Sequence, residues 1–203
     1  MIAAARRDAA AADLSKICTF EVADVQHGFT PSLATITQYD KVFSNAAMHW
    51  ILKASTSGPF FDSVHAALKP SGQFVFEMGG MGNVAEMRST LLGVLGRRVG
   101  MAQARAADPW FFPDESWMRA RLEASGFAVE RLEREWRPTR ADEGGIEGWV
   151  RLMGKQFFDV VPVAEEREEC VREVCEVLET VCRSPGGGDW IGYVRLRAVA
   201  RKV

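Results

Sequence analysis

The chain has 203 residues, 47% of them hydrophobic, and a formal net charge of −2 at pH 7. That length and composition suffice for one sizeable buried core. The near-neutral charge excludes a global field drawing in nucleic acid or an anionic membrane, and the longest apolar runs are far too short to cross a bilayer.

Residues Met1 to Ala12 are alanine-rich with good helix propensity, and Asp13-Leu14-Ser15 breaks the pattern. The opening places its apolar residues before Arg6-Arg7, the reverse of a secretory signal, and Asp8 and Asp13 argue against an organellar presequence. A cytoplasmic location is the default expectation. Cys18 to Val25 alternates well enough to predict a strand ending at Ala23-Asp24. Asp24 there could accept a hydrogen bond from an exocyclic amine such as adenine N6, or could cap a turn or helix. His27 to Gln38 carries Gly28 and Pro31 and reads as a loop or short irregular helix.

The stretch YDKVFSNAAMHW, Tyr39 to Trp50, is the most informative in the chain. Its β-branched and aromatic run, ended by Ser44-Asn45, predicts a strand stopping at an open edge. Ligands in open α/β sheets sit beyond the carboxyl ends of such strands. Asn45 could hydrogen-bond a ligand there, and Trp50 could wall off solvent. Gly58-Pro59 then opens a helix with Phe61, Val64, His65 and Leu68 on one face, and Lys69-Pro70-Ser71-Gly72 ends it. Gln73 to Met78 predicts a strand emptying into Gly79-Gly80-Met81-Gly82-Asn83. Strand, helix, strand at this spacing marks a parallel sheet with crossover helices.

Val84 to Val99 predicts a helix striped by Val84, Met87, Leu91 and Leu95, and Ala102 to Phe112 a loop exposing Trp110-Phe111-Phe112. A helix from Pro113 to Gly126 leads into a strand reaching Trp136, followed by Arg137-Pro138-Thr139. Trp149 to Phe158 is amphipathic. Glu165 to Arg183 is the clearest helix, with Val171, Val174, Cys175, Leu178, Val181 and Cys182 in register and glutamates at its positive end. Trp190 to Val203 alternates Val194, Leu196 and Ala198 against Arg195 and Arg197, as a half-exposed strand does.

The four cysteines form no CxxC pair and stand apart from the histidines, so no metal site is expected. Arg97-Arg98, Arg195, Arg197, Arg201 and Lys202 make no continuous basic stripe with interleaved aromatics, so no nucleic-acid role is expected.

Several of these runs resemble class I S-adenosylmethionine-dependent methyltransferases. SNAAMHW is similar to the SNAxxHW that follows the fourth strand in the trans-aconitate methyltransferase-like branch. ALKPSGQFVFEMGGMGNV resembles its fifth strand and glycine loop, and WIGYVRLRAVARK its last, antiparallel strand. The resemblance implies a Rossmann-like, mostly parallel sheet with flanking helices and an antiparallel C-terminal strand. It implies one domain over 1–203, with a helical cover around 140–183, although an ordinary core helix explains Trp149 to Phe158 equally well.

It also implies that the chain begins inside the family's pattern, since Met1 to Arg7 resembles the MIxxAR opening of the helix after the second strand. A β-α-β unit of on the order of 30 or more residues, with the glycine-rich motif, would be lacking. An N-terminally incomplete sheet would expose an edge suited to self-association.

The resemblance implies S-adenosylmethionine as cofactor and a small-molecule acceptor, a carboxylate or other oxygen nucleophile. Ala23 and Asp24, with Val25 beside them, would hold the adenine, and Asn45 and Ala46 would line the passage to the methyl group. His49 and Trp50 would face the acceptor, with Trp110, Arg137 and Trp149 as further pocket residues. A carboxylate is already ionised at neutral pH, so no catalytic base is assigned. The alternative is a non-catalytic interaction protein or pseudoenzyme derived from the same fold.

Overall fold

The computed structural model describes residues 2–26, 39–53 and 57–203. Alternating side chains build four strands into one sheet: β1 (Tyr39–Asn45), β2 (Leu68–Gly79), β3 (Phe127–Arg140) and β4 (Trp190–Lys202). Their spatial order is β1-β2-β4-β3. β1 and β2 are parallel, with Lys41 opposite Gln73 and Asn45 opposite Glu77. β4 is antiparallel to both neighbours, placing Arg195 opposite Gly79 and Trp190 opposite Arg140. β1, β2 and β3 therefore share one direction, and β4 opposes them. The Rossmann-like sheet with an antiparallel C-terminal strand is the architecture the sequence implies.

The helices are α1 (Ile2–Ala11), α2 (Met48–Ile51), α3 (Gly58–Ala67), α4 (Ala85–Val99), α5 (Met101–Ala106), α6 (Glu115–Ala124), α7 (Gly145–Met153), α8 (Lys155–Phe158) and α9 (Ala164–Cys182). One sheet face buries Phe74, Phe76, Met78, Leu196 and Ala198 against Phe60, Phe61 and Val64 of α3 and Met118 and Leu122 of α6. A second cluster joins Met87, Leu91 and Leu95 of α4 to Val150, Phe157, Cys170, Val174 and Leu178 from α7 to α9. Burying each large apolar side chain contributes about 1.5–3 kcal/mol, which fixes these helices as a layer above the carboxyl end of β2. Among the described residues, no helix is long and apolar enough to cross a membrane.

Several details depart from the periodicity. β2 begins at Leu68, so Leu68 leaves the helix face and Lys69 to Gly72 belong to the strand instead of a closing turn. Cys18 to Val25 lies in no regular element. An isolated extended segment has no ladder to satisfy its backbone groups, and among the described residues β1 pairs only with β2. The stretch after Val99 is not all loop, because Gly100 adopts φ +86° and turns the chain straight into α5. Gly154 divides the amphipathic run into α7 and α8. Val181, expected on the buried stripe of α9, is 63% exposed. The loop expected over His27 to Gln38 lies outside the described residues.

Candidate functional site

The site is built where β1 and β2 end. Asn45 and Ala46 are exposed at the carboxyl end of β1. Ala46 donates its N–H to Glu77 O (2.8 Å) and adopts φ +52°, a left-handed conformation that a non-glycine residue holds only at a cost. That turn starts α2, which carries His49 and Trp50 back across the end of β2. There the Gly79 N–H donates to His49 Nδ1 at 3.2 Å. Gly79 leaves no room for a side chain: a Cβ would lie 2.5 Å from Phe112 Cε1 and 2.8 Å from Asn83 Nδ2.

Around this contact lies a cavity of about 120 Å³, lined by Ala46, His49, Trp50, Asn83, Val84, Trp110, Phe112, Trp149, Met153, Tyr193 and Arg195. Its walls are mostly rings. Trp110 packs against Trp50 (5.8 Å between centroids), Phe112 (6.0 Å) and Trp149 (6.0 Å). The aromatic segment expected to be exposed is held inward by three anchors. Phe111 N–H donates to His49 O (3.0 Å), Lys53 Nζ to Pro109 O (3.0 Å), and Trp110 N–H to Asp108 Oδ1 (3.0 Å). Arg88 holds the other oxygen of Asp108 at 2.5 Å. Trp110 is consequently only 6% exposed.

The polar groups are few. His49 is buried, and desolvation first, then the charge of Arg195, hold its imidazole well below the usual value, at about 4. It is neutral near pH 7; with Nδ1 accepting from Gly79, its proton sits on Nε2. Asn83 Oδ1 accepts from Val194 N–H (2.8 Å), leaving Nδ2 as the donor Asn83 offers. Trp149 Nε1 donates to Tyr193 Oη (2.7 Å), and the Arg195 guanidinium stacks 4.7 Å from the Tyr193 ring centroid.

The structure thus brings together Ala46, His49, Trp50, Trp110 and Trp149, with Asn45 beside Ala46 at the mouth. Arg137 is exposed on β3 opposite Tyr193 and does not line the cavity. Ala23, Asp24 and Val25 lie on the irregular segment before residue 27. Val25 packs against the cluster of Phe74 and Phe76, and Asp24 Oδ1 accepts from Gln26 N–H (2.9 Å), closing a local turn. Sequence reading missed Asn83, Val84, Phe112, Met153, Tyr193 and Arg195 as cavity residues. A signal existed for the last two, because β4 alternation puts residues 193 and 195 on one face.

No family model matches the sequence. An uncharacterised methyltransferase of Schizosaccharomyces pombe is 35% identical over 169 residues, covering 81% of this chain and 63% of the relative. The chain therefore spans less than two thirds of that protein's length. Among solved structures, the YcgJ protein of Bacillus subtilis aligns over 100% of this chain and 78% of that one at 15% identity, with a TM-score of 0.56. A protein solved in connection with conversion of a disulfide bond into a thioacetal group during echinomycin biosynthesis aligns over 99% and 61% at 14% identity, TM-score 0.52. The chain is thus similar in sequence to a methyltransferase over most of its length, and it shares the α/β fold of these solved structures.

Proposed function

We propose that the protein transfers a methyl group from S-adenosylmethionine to an oxygen of a small acceptor, a carboxylate in the simplest case. The observation that carries this is the aromatic cavity opening beside the left-handed turn at Ala46, at the carboxyl end of β1. Relationship to a methyltransferase over 81% of the chain supports it. The acidic acceptor rests on the SNAAMHW and FEMGGMGNV runs and on the chemistry of the cavity.

The residues fit the cofactor where it would meet the cavity. Asn45 offers a side-chain amide, Ala46 only a methyl group at the narrow turn, and ring faces suit a sulfonium cation. Ala23 to Val25 would border the adenine, with one oxygen of Asp24 beyond its local turn. When bound, S-adenosylmethionine supplies a methyl group already activated by its positive sulfur.

The protein's own task is positioning and exclusion of water. Trp50, Trp110, Phe112 and Trp149 wall the cavity, and His49, neutral and protonated at Nε2, offers a hydrogen bond but removes no proton there. An ionised carboxylate asks for none. Held at the turn of Asn45 and Ala46, the cofactor would supply its methyl group to the acceptor oxygen kept dry by these rings, the electron pair of the broken carbon–sulfur bond staying with sulfur.

Incubation with methyl-labelled S-adenosylmethionine and a panel of small carboxylic acids tests this. Label in a base-labile ester is the expected product. Absence of transfer, together with absence of S-adenosylhomocysteine binding, overturns the reading.

Self-association is a second reading, favoured by one observation. β1 is an edge strand in the described sheet, and Phe43 on it is 70% exposed. Light scattering checks it: a dimer that Phe43→Lys returns to monomer is expected, and a monomeric parent chain dismisses it.

A further inference from the structure

Ser184-Pro185 is, among the described residues, the one place where a hydroxyl residue precedes proline, and the fold sets it in a turn. α9 ends at Cys182, and Arg183 bridges back to Asp189. Inside that closure the Ser184 N–H donates to Gly188 O (3.0 Å) and the Gly187 N–H to Ser184 O (2.9 Å). Gly187 and Gly188 take φ +93° and +84°, so the reversal is built on glycine. Pro185, Gly186 and Gly187 are exposed, and Pro185 biases Ser184 toward extended backbone. The Ser184 hydroxyl accepts from the Gly186 N–H (3.3 Å) and has no acceptor for its own proton among the described residues.

Two guanidiniums with unspent donors flank this turn. Arg183 uses only Nε, on Asp189 Oδ1 (3.0 Å). Arg140 makes no hydrogen bond or ion pair among the described residues, although Arg131, Arg134, Arg195, Arg197 and Arg201 on β3 and β4 are all ion-paired. It stands against Gly188, the residue bonded to Ser184: a Cβ there would lie 2.7 Å from Arg140 Nε and 3.2 Å from Cζ. The other carboxylates nearby are engaged or exposed. Glu86 Oε1 accepts from the Gly192 N–H (2.5 Å), Asp142 Oδ1 accepts from the Gly144 N–H (3.1 Å), and Glu143 and Glu179 face solvent.

We propose that Ser184 is a phosphorylation site for a proline-directed protein kinase, with Arg140 and Arg183 holding the phosphate. This goes beyond the methyl-transfer reading and does not rest on it. The hydroxyl oxygen forms the new bond to the γ-phosphorus of ATP, the bond from that phosphorus to its bridging oxygen breaks, and ADP leaves. The hydroxyl proton passes to the kinase's catalytic carboxylate. The product carries about −1.5 to −2 charges and three acceptor oxygens. Two effects then compete. The negative end of α9 repels the phosphate, but that influence fades within the last turn, and Ser184 lies beyond it. Direct pairing with guanidiniums is the stronger effect, since charge-assisted bonds are roughly twice as strong as neutral ones. The phosphate thereby ties the turn to the end of β3, where Arg140 is the last residue.

The test incubates the purified protein with a proline-directed kinase and ATP and maps the product by peptide mass spectrometry, with a synthetic peptide of residues 179–191 as reference. Phosphorylation of Ser184 is expected, at a rate in the folded protein within tenfold of the peptide's. Pro185→Ala is expected to slow it at least tenfold, and Ser184→Ala to abolish it at an unchanged melting temperature. In a phosphorus NMR titration the phosphate should ionise below its ordinary value of about 6, and Arg140→Gln should return it toward that value. No incorporation at Ser184 of the folded protein, or a rate more than tenfold below the peptide's, overturns the site. A phosphoserine that titrates normally, or identically in Arg140→Gln, overturns the capture of the phosphate by the arginines.

Discussion

The backbone N–H of Gly79 donates to Nδ1 of His49 across 3.2 Å, joining the end of β2 to α2 within the cavity wall. This bond needs the imidazole unprotonated at Nδ1, and burial holds the folded value at about 4, below the usual 6.5. Between those values the unfolded chain takes up a proton that the folded protein refuses. The stabilisation is therefore complete above about pH 6.5 and is lost as pH falls toward 4. Its size is on the order of 2 kcal/mol. Urea unfolding at pH 5 and pH 7.5 should show the loss in the parent protein and a reduced loss in His49→Gln. Equal slopes in both would remove His49 as the source.

Gly79 and Gly93 make a matched pair. A Cβ on Gly79 would press to 2.5 Å against Phe112, whereas one on Gly93, within α4, meets nothing within 4 Å. Gly79→Ala should cost about 1–3 kcal/mol by overpacking and should open the cavity wall. Gly93→Ala should instead stabilise by roughly 0.5–1 kcal/mol. Chemical denaturation of the two variants gives the answer, and similar midpoints would contradict the packing described at Gly79.

Ala46 holds φ +52° at the mouth of the site. Ala46→Gly should raise stability by roughly 0.5–1 kcal/mol, since glycine adopts that conformation without the Cβ clash. It should also loosen the turn that directs His49 and Trp50, weakening S-adenosylhomocysteine binding. Paired melting and titration would show opposite movements; a variant changed in neither property would mean that the turn is unstrained.

The sheet was legible because its strands carry their own alternation and β-branched or aromatic residues, and SNAAMHW marked the end of β1. The cavity was legible only on that side. His49, Trp50, Trp110 and Trp149 could be named from runs of letters, but no local pattern says that Trp110 turns inward. Its burial depends on Asp108, Lys53 and His49, and Lys53 and His49 stand more than fifty residues earlier. Alternation alone sets Arg195 on the half-exposed side of β4, for a related reason. Alternation gives the face of a strand, whereas burial of that face near its end depends on α7, from which Trp149 reaches Tyr193. Cys18 to Val25 shows the converse, an alternating run with no described strand beside it to complete a ladder.

The most direct measurement is calorimetric titration of the purified protein with S-adenosylhomocysteine. Saturable one-to-one binding, weakened by Asn45→Ala and Asp24→Ala, is the predicted result, and it would fix the cofactor at the carboxyl end of β1. A folded, monodisperse protein that gives no heat of binding at any accessible concentration would contradict the methyl-transfer account.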